Sequence, residues 1–188
     1  MSKYTRVFKN ARLIDGVANT VEPEMTIIVQ DDRISEVQSD TAPVPPNATV
    51  ENLQGKTVLP GLIDTHVHTT LMDSECFPLF LAAGVTTARD VGGKLSKVLQ
   101  NRADLNSEKK IGPRLLICGP LLDGPDPSFP SAGDFAEMVH TVPGVEAVPD
   151  TINSLLKAEV DGIKLYFTLP PDTAKSIIRF VDKRVPVT

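Results

Sequence analysis

The sequence holds too little cysteine for a disulfide scaffold: Cys76 and Cys118 are the only two in 188 residues, and they are not spaced as a CxxC metal or redox pair. A reducing compartment is the simpler setting, and both are expected to be buried thiols. Basic runs are also lacking. With 19 Lys and Arg against 24 Asp and Glu, the formal net charge is -5, and no Lys/Arg cluster is present to track phosphates or a lipid surface. Nucleic acid is therefore excluded as an expected partner. No segment approaches about 18 uninterrupted apolar residues, and the opening MSKYTRVFKNARLIDG lacks the apolar stretch of a signal peptide. The expectation is a cytoplasmic chain with no membrane association.

Against these absences, 41% of the residues are hydrophobic, enough for a real core in one large domain or two small ones. Two grammars divide the chain. From Tyr4 to about Val58, short β-like runs (RVFKNARLI, MTIIVQ, RISEVQ, KTVL) alternate with turn signals, including Asp31-Asp32, and predict a small antiparallel sheet. TAPVPPNA, residues 41–48, carries three prolines and reads as a surface connection. After Pro60, apolar strands alternate with amphipathic helices. Strands are expected near 62–68, 85–90, 114–118, 162–166 and 185–188, and helices near 73–83, 93–106, 146–159 and 171–183. That alternation predicts parallel strands with crossover helices. The Pro/Gly-rich stretch from Gly119 to Gly133 predicts either a loop over a ligand site or a disordered insertion.

The chemistry concentrates in GLIDTHVHTT, residues 61–70. Side chains alternate along a strand, so Asp64, His66 and His68 are expected on one face. Two neutral imidazoles on neighbouring same-face positions suit a divalent metal, and a carboxylate one pleat back suits a partner that orients a ligand. The opposing reading is two polar residues in a satisfied core or on a surface. The pair stands at the C-terminal end of an apolar strand, where parallel α/β folds build their sites, and that favours the metal. Lys164, in DGIKLY, lies 96 residues beyond His68, a spacing of three βα units of about 30 residues each. It is either an ordinary strand lysine or a desolvated amine able to take up carbon dioxide as a carbamate that bridges two metals.

PGLIDTHVHTT, AAGVTTARDVGG, GPRLLICGP and DGIKLY followed by LPP, in that order, resemble the amidohydrolase superfamily, in the branch of imidazolonepropionase and the Xaa-Pro dipeptidase-like enzymes. The resemblance runs from about Ala11 to Thr188. It implies an α/β fold: a partial (β/α)8 TIM-type barrel of the first four to five strands (60–188), preceded by a small β-sandwich segment (1–59). It also implies one or two divalent ions, with zinc expected. His66 and His68 would be strand-one ligands, and Lys164 the carboxylated bridging lysine. The family's histidines on strands five and six and its strand-eight aspartate have no counterpart here. From Leu62 onward there are 127 residues where a full barrel takes about 250, so a half-barrel is expected, ending as strand five opens in RVPVT.

The function expected from the resemblance is metal-dependent hydrolysis of a C–N bond in a small amide, imidazolone or dipeptide-like substrate. The alternatives are an inactive truncated or half-barrel protein that needs a complementary chain or a homo-oligomer, and a domain that only binds metal. Tyr166 shares a face with Lys164 and is a candidate substrate contact, or else a core tyrosine. Arg89 and Asp90 end the second strand, either facing the site or forming a local ion pair. His140, in AEMVHTVPG, is read as a surface or loop residue on a helical or loop segment outside the barrel strands, or else as a contact from a substrate loop.

Overall fold

A computed structural model describes residues 5–129, 133 and 135–188 of the chain, which divides after Pro60 into two compact units. Tyr4, with which the first β-like region is expected to begin, and Pro130, Ser131, Ala132 and Asp134 of the Pro/Gly-rich stretch lie outside the described residues.

The first unit is a five-stranded sheet in which β1 (Thr5–Leu13) lies between β2 (Glu22–Gln30) and β4 (Thr49–Asn52). β3 (Arg33–Ser39) lies outside β2, and β5 (Thr57–Val58) also pairs with β1. The hairpin between β2 and β3 closes through Asp31 and Asp32, with Asp31 at φ +56°, a conformation that Asp tolerates better than most residues. The sheet is mixed, which corrects the antiparallel expectation. β1, β2 and β3 pair antiparallel, but β4 and β5 run parallel to β1. The cause is the proline-rich 41–48 connection. It carries the chain from the outer edge at β3 across to the far side of β1, and a crossover of that kind delivers a parallel strand where a tight turn would give an antiparallel one. Val7 and Ile28 face each other across the β1–β2 ladder, and both are buried.

The second unit runs from Gly61 to Thr188. Its first sheet is parallel, in the order β6 (Leu62–Val67), β7 (Val85–Asp90), β8 (Arg114–Ile117). Between them lie α1 (Phe77–Ala82) and α2 (Leu95–Asn106). A second parallel sheet centres on β9 (Leu121–Asp123), flanked by β10 (Val139–Thr141) and β11 (Lys164–Leu165). The chain at Val187 adds a parallel bridge to Ile163. α3 (Val148–Lys157) and α4 (Pro171–Val181) complete the alternation.

Their apolar spacing dictates what the helices bury. Val148, Ile152 and Leu155 on α3, and Thr173, Ile177 and Val181 on α4, recur at helical period and are all buried. With Ala88, Leu115, Ile117, Leu122 and Ile163 from the strands, the apolar members of this set make one core cluster.

Two expectations change here. Leu121, Leu122 and Asp123 are a fully buried strand, although the Gly/Pro density around them reads as loop. Gly119, at φ +72°, kinks the chain after β8 so that it re-enters the unit as β9. Of the two thiols, Cys118 is buried but Cys76, just ahead of α1, is only half-buried. Among the described residues no helix is long and apolar enough to cross a membrane.

Ile152 is wholly buried in this core. Ile152→Ala is expected to lower unfolding stability by about 3 kcal/mol, the usual cost of deleting a packed aliphatic side chain. Urea titration should show a lower midpoint at an unchanged slope.

Candidate metal centre

His66, His68, Lys164, Leu165, Tyr166 and Phe167 line one cavity of about 340 Å3. The histidines come from the end of β6 and the residue just past it, and the other four from β11 and the two residues after it. Three hollows of about 680, 660 and 400 Å3 are larger, but they lie against α2 with β8, against α4 and against α1, and no imidazole lines any of them. Chemistry rather than size singles out the smaller cavity. The two imidazole rings stand edge to face, with centroids 5.4 Å apart and planes at 73°.

His68 is the better constrained of the two. Its Nδ1 is 2.7 Å from the carbonyl oxygen of Gly92. A carbonyl only accepts, so Nδ1 carries the hydrogen, and in the neutral ring Nε2 carries the lone pair. This is the tautomer a metal-binding imidazole takes when its other nitrogen is tied to a carbonyl. Glycine is needed at position 92 because a Cβ there would run into the Leu121 side chain and lie 3.2 Å from Cε1 of His68.

The turn that follows His68 is organised by Asp90, which is fully buried. One carboxylate oxygen, Oδ2, accepts the Thr69 amide at 2.7 Å and the Thr69 hydroxyl at 2.6 Å, and Oδ1 accepts the Gly92 amide at 3.0 Å. The sequence reads Asp90 as a site-facing residue or half of an ion pair with Arg89. Its partners are instead backbone and hydroxyl donors, and Arg89 donates from Nε to the Thr65 carbonyl at 3.0 Å, bracing β6. Arg89 is not among the side chains lining the imidazole cavity.

Asp64 also differs from expectation. A register shift between Asp64 and Val67 in the β6–β7 ladder breaks the strict alternation that would put Asp64 in a row with the histidines. Its carboxylate accepts the His66 backbone amide at 3.1 Å and lines a separate cavity with residues of α1, so it braces the strand and not an imidazole nitrogen.

Tyr166 forms part of an aromatic ladder at the cavity. Its ring lies 5.6 Å from Phe129 and 4.4 Å from Phe167, and Phe129 stacks on Phe135 at 5.2 Å. Nothing in the sequence spacing joins these rings, because they come from two separate loops. His140 falls on β10, not on a helix or loop. It is exposed, with Nε2 3.3 Å from the Thr151 hydroxyl, and lines a different cavity.

The donor set fits a divalent ion at its imidazole pair. Among the described residues no three His, Cys, Asp or Glu side chains gather as a complete cage. Lys164 is the third group at the cavity, and its ammonium is no ligand until it loses its charge. Among the described residues no carboxylate forms an ion pair with it. Cys118 is not a fourth donor. Burial pushes its thiol up to about 11, with nearby Arg89 pulling it down and Asp90 pushing it up, so at neutral pH it stays protonated.

Beyond the cavity, Asp123 ties its far wall. Fully buried, it accepts the Thr168 amide and hydroxyl, both at 2.7 Å, the Ser128 amide at 2.7 Å and the Gly124 amide at 3.1 Å. That links the loop after β9 to the chain just past Phe167.

No family model matches this sequence. An L-hydantoinase from Paenarthrobacter aurescens is 29% identical over 165 residues, covering 77% of this chain and 35% of its own length. Among solved structures, an amidohydrolase matches with a TM-score of 0.81 at 24% identity. A Xaa-Pro dipeptidase with methionine bound in its active site matches at 0.80 and 20% identity. Both cover 97% of this chain and 55% of their own. At such identities the likeness shows a shared fold: this chain has the mixed α/β architecture of amidohydrolases and prolidase-like proteins. It spans about a third of the hydantoinase and just over half of the solved structures.

Burial pushes the Asp123 carboxyl up, but the donors from Ser128, Thr168 and Gly124 outweigh it and hold the group below its ordinary value. A carboxyl depressed in the folded state stabilises the fold above its unfolded pKa of about 4. That contribution disappears as pH falls through the folded value. Urea midpoints are therefore expected to drop below about pH 4. Asp123→Asn should be less stable at neutral pH and show a shallower acid limb.

Proposed function

We propose that this chain belongs to the amidohydrolases and forms the first half of a (β/α)8 barrel, residues 60–188, preceded by a β-sandwich segment, residues 1–59. Its site serves metal-dependent hydrolysis of a C–N bond in a small cyclic amide or dipeptide-like substrate. The observation that carries this reading is the convergence on one cavity of His66 and His68, at the C-terminal end of the parallel strand β6, with Lys164 of β11.

His66 and His68 hold a divalent ion, with zinc the best match to imidazole donors. Such an ion supplies Lewis acidity, polarising an amide carbonyl and acidifying water. The remaining work falls to the chain. The Gly92 carbonyl fixes the His68 tautomer. The neutral amine of Lys164 adds to carbon dioxide, forming an N–C bond and releasing a proton, and the resulting carbamate anion offers two oxygens where the amine offered one nitrogen. Tyr166 and Phe167 form the wall against which the substrate lies, with the Tyr166 phenol available to hydrogen-bond it.

A specific observation favours a second requirement, a partner that completes the site. Leu62 and Ile63, on β6, are 51% and 64% exposed, an apolar edge suited to a complementary half-barrel or another copy of the chain. On this reading the chain holds the metal, and a partner covering this edge completes the walls of the site.

Competition with a chromophoric chelator tests the metal site directly. Wild-type chain should bind zinc, and His68→Ala should weaken binding at least tenfold. Bicarbonate should strengthen binding in the wild type and have no effect in Lys164→Ala. Wild-type protein with no zinc affinity would overturn the reading.

A further inference from the structure

We propose that Asp90 is a positioning residue for His68, setting its tautomer and placement through Thr69 and Gly92 without touching the imidazole. The inference rests on the metal-site reading above and extends it to a residue outside the cavity wall.

The connection runs in both directions along the chain. His68 is followed directly by Thr69, whose amide and hydroxyl both end on Oδ2 of Asp90. The carbonyl that receives Nδ1 of His68 belongs to Gly92, whose amide ends on Oδ1 of the same carboxylate. One buried carboxyl group therefore holds the residue next to the histidine and the residue that supplies the histidine's acceptor.

Thr69 and Asn101, like Asp90, are buried. Asn101 donates from Nδ2 to the Thr69 hydroxyl oxygen at 3.3 Å, which is the polarity required once that hydroxyl has spent its own hydrogen on Asp90. A Cβ at Gly93 would strike the Thr70 hydroxyl and the Val98 side chain, so the segment from Asp90 to Gly93 is packed against the turn that follows His68. All the donors on the Asp90 carboxylate point inward to it, and a neutral amide cannot satisfy them. Whichever way the side-chain amide introduced by Asp90→Asn is turned, its NH2 group faces either the Gly92 amide or the Thr69 amide.

The test uses the full chain and two readouts. Long-range 1H–15N correlation spectra of the metal-free protein report the His68 tautomer, and chelator competition reports zinc affinity. The wild type should show His68 protonated at Nδ1. Asp90→Asn should shift it toward a mixture and weaken zinc binding by roughly tenfold, within the range seen when partners of metal-bound histidines are lost. Thr69→Val, which removes only the hydroxyl link, should move both readouts in the same direction by less, and it keeps the test open if Asp90→Asn does not fold. Asp40→Asn is the control: it removes a carboxylate that accepts the Thr26 hydroxyl and the Asn10 amide in the first unit, outside the cavity, and should lose stability with the His68 tautomer and zinc affinity unchanged. The inference is overturned if folded Asp90→Asn or Thr69→Val leaves both readouts at wild-type values, or if Asp40→Asn moves them equally. A wild type that binds no zinc but shows the tautomer shift in the variants would sink the metal reading and leave the positioning role standing.

Discussion

The parallel pairing of β6 with β7 fixes the histidine side of the site, because its register sets Val67 opposite Asp90. From that one alignment the residues after each strand meet: His68 and Thr69 on one side, Val91 and Gly92 on the other. The Val91 amide closes on the Val67 carbonyl at 3.0 Å, and the Cys118 amide closes on the Asp90 carbonyl at 2.8 Å, so β7 is held from both flanks where its carboxylate turns inward. A slip of one residue would reverse the faces of the whole strand. It would separate His68 from the Gly92 carbonyl and Thr69 from Asp90 together.

The burial of Asp90 follows from this geometry. An unpaired carboxylate in a core costs several kcal/mol, but here three short hydrogen bonds from Thr69 and Gly92 replace the lost water. Asp123 solves the same problem with four donors beyond the cavity's far wall. The cavity wall therefore stands between two saturated carboxylates, each stitching a loop to a strand end. The apolar core beneath, from Ala88, Ile117, Leu122 and Ile163, supplies the rigid floor that makes such stitching effective.

Much of this was legible in the sequence, for identifiable reasons. The segments 62–68, 85–90 and 114–118 read as parallel strands because each is a short run opened by Gly or Pro, and the helices between and after them space their apolar residues at helical period. That pattern put His66 and His68 at the end of the first of these strands, where β6 and the residue just past it have them. Harder to read were features set by tertiary packing. β9 is hidden among glycines and prolines that signal a loop, until Gly119 turns the chain back into the core. The local bulge in β6 redirects Asp64 to a backbone amide, and periodicity carries no sign of a bulge. Arg89 and Asp90, adjacent and oppositely charged, suggest an ion pair, yet neighbouring strand residues point to opposite faces, and each found other partners. The aromatic ladder at Tyr166 depends on two loops meeting, which no local pattern encodes.

The central claim is that the two imidazoles share one metal ion. X-ray absorption at the zinc edge, on the full chain loaded with zinc, tests it most directly. The account predicts nitrogen scatterers at about 2.0 Å with the outer-shell pattern of imidazole rings, and loss of that pattern in a variant lacking both His66 and His68. A first shell without imidazole features, or one unchanged in that variant, would contradict it.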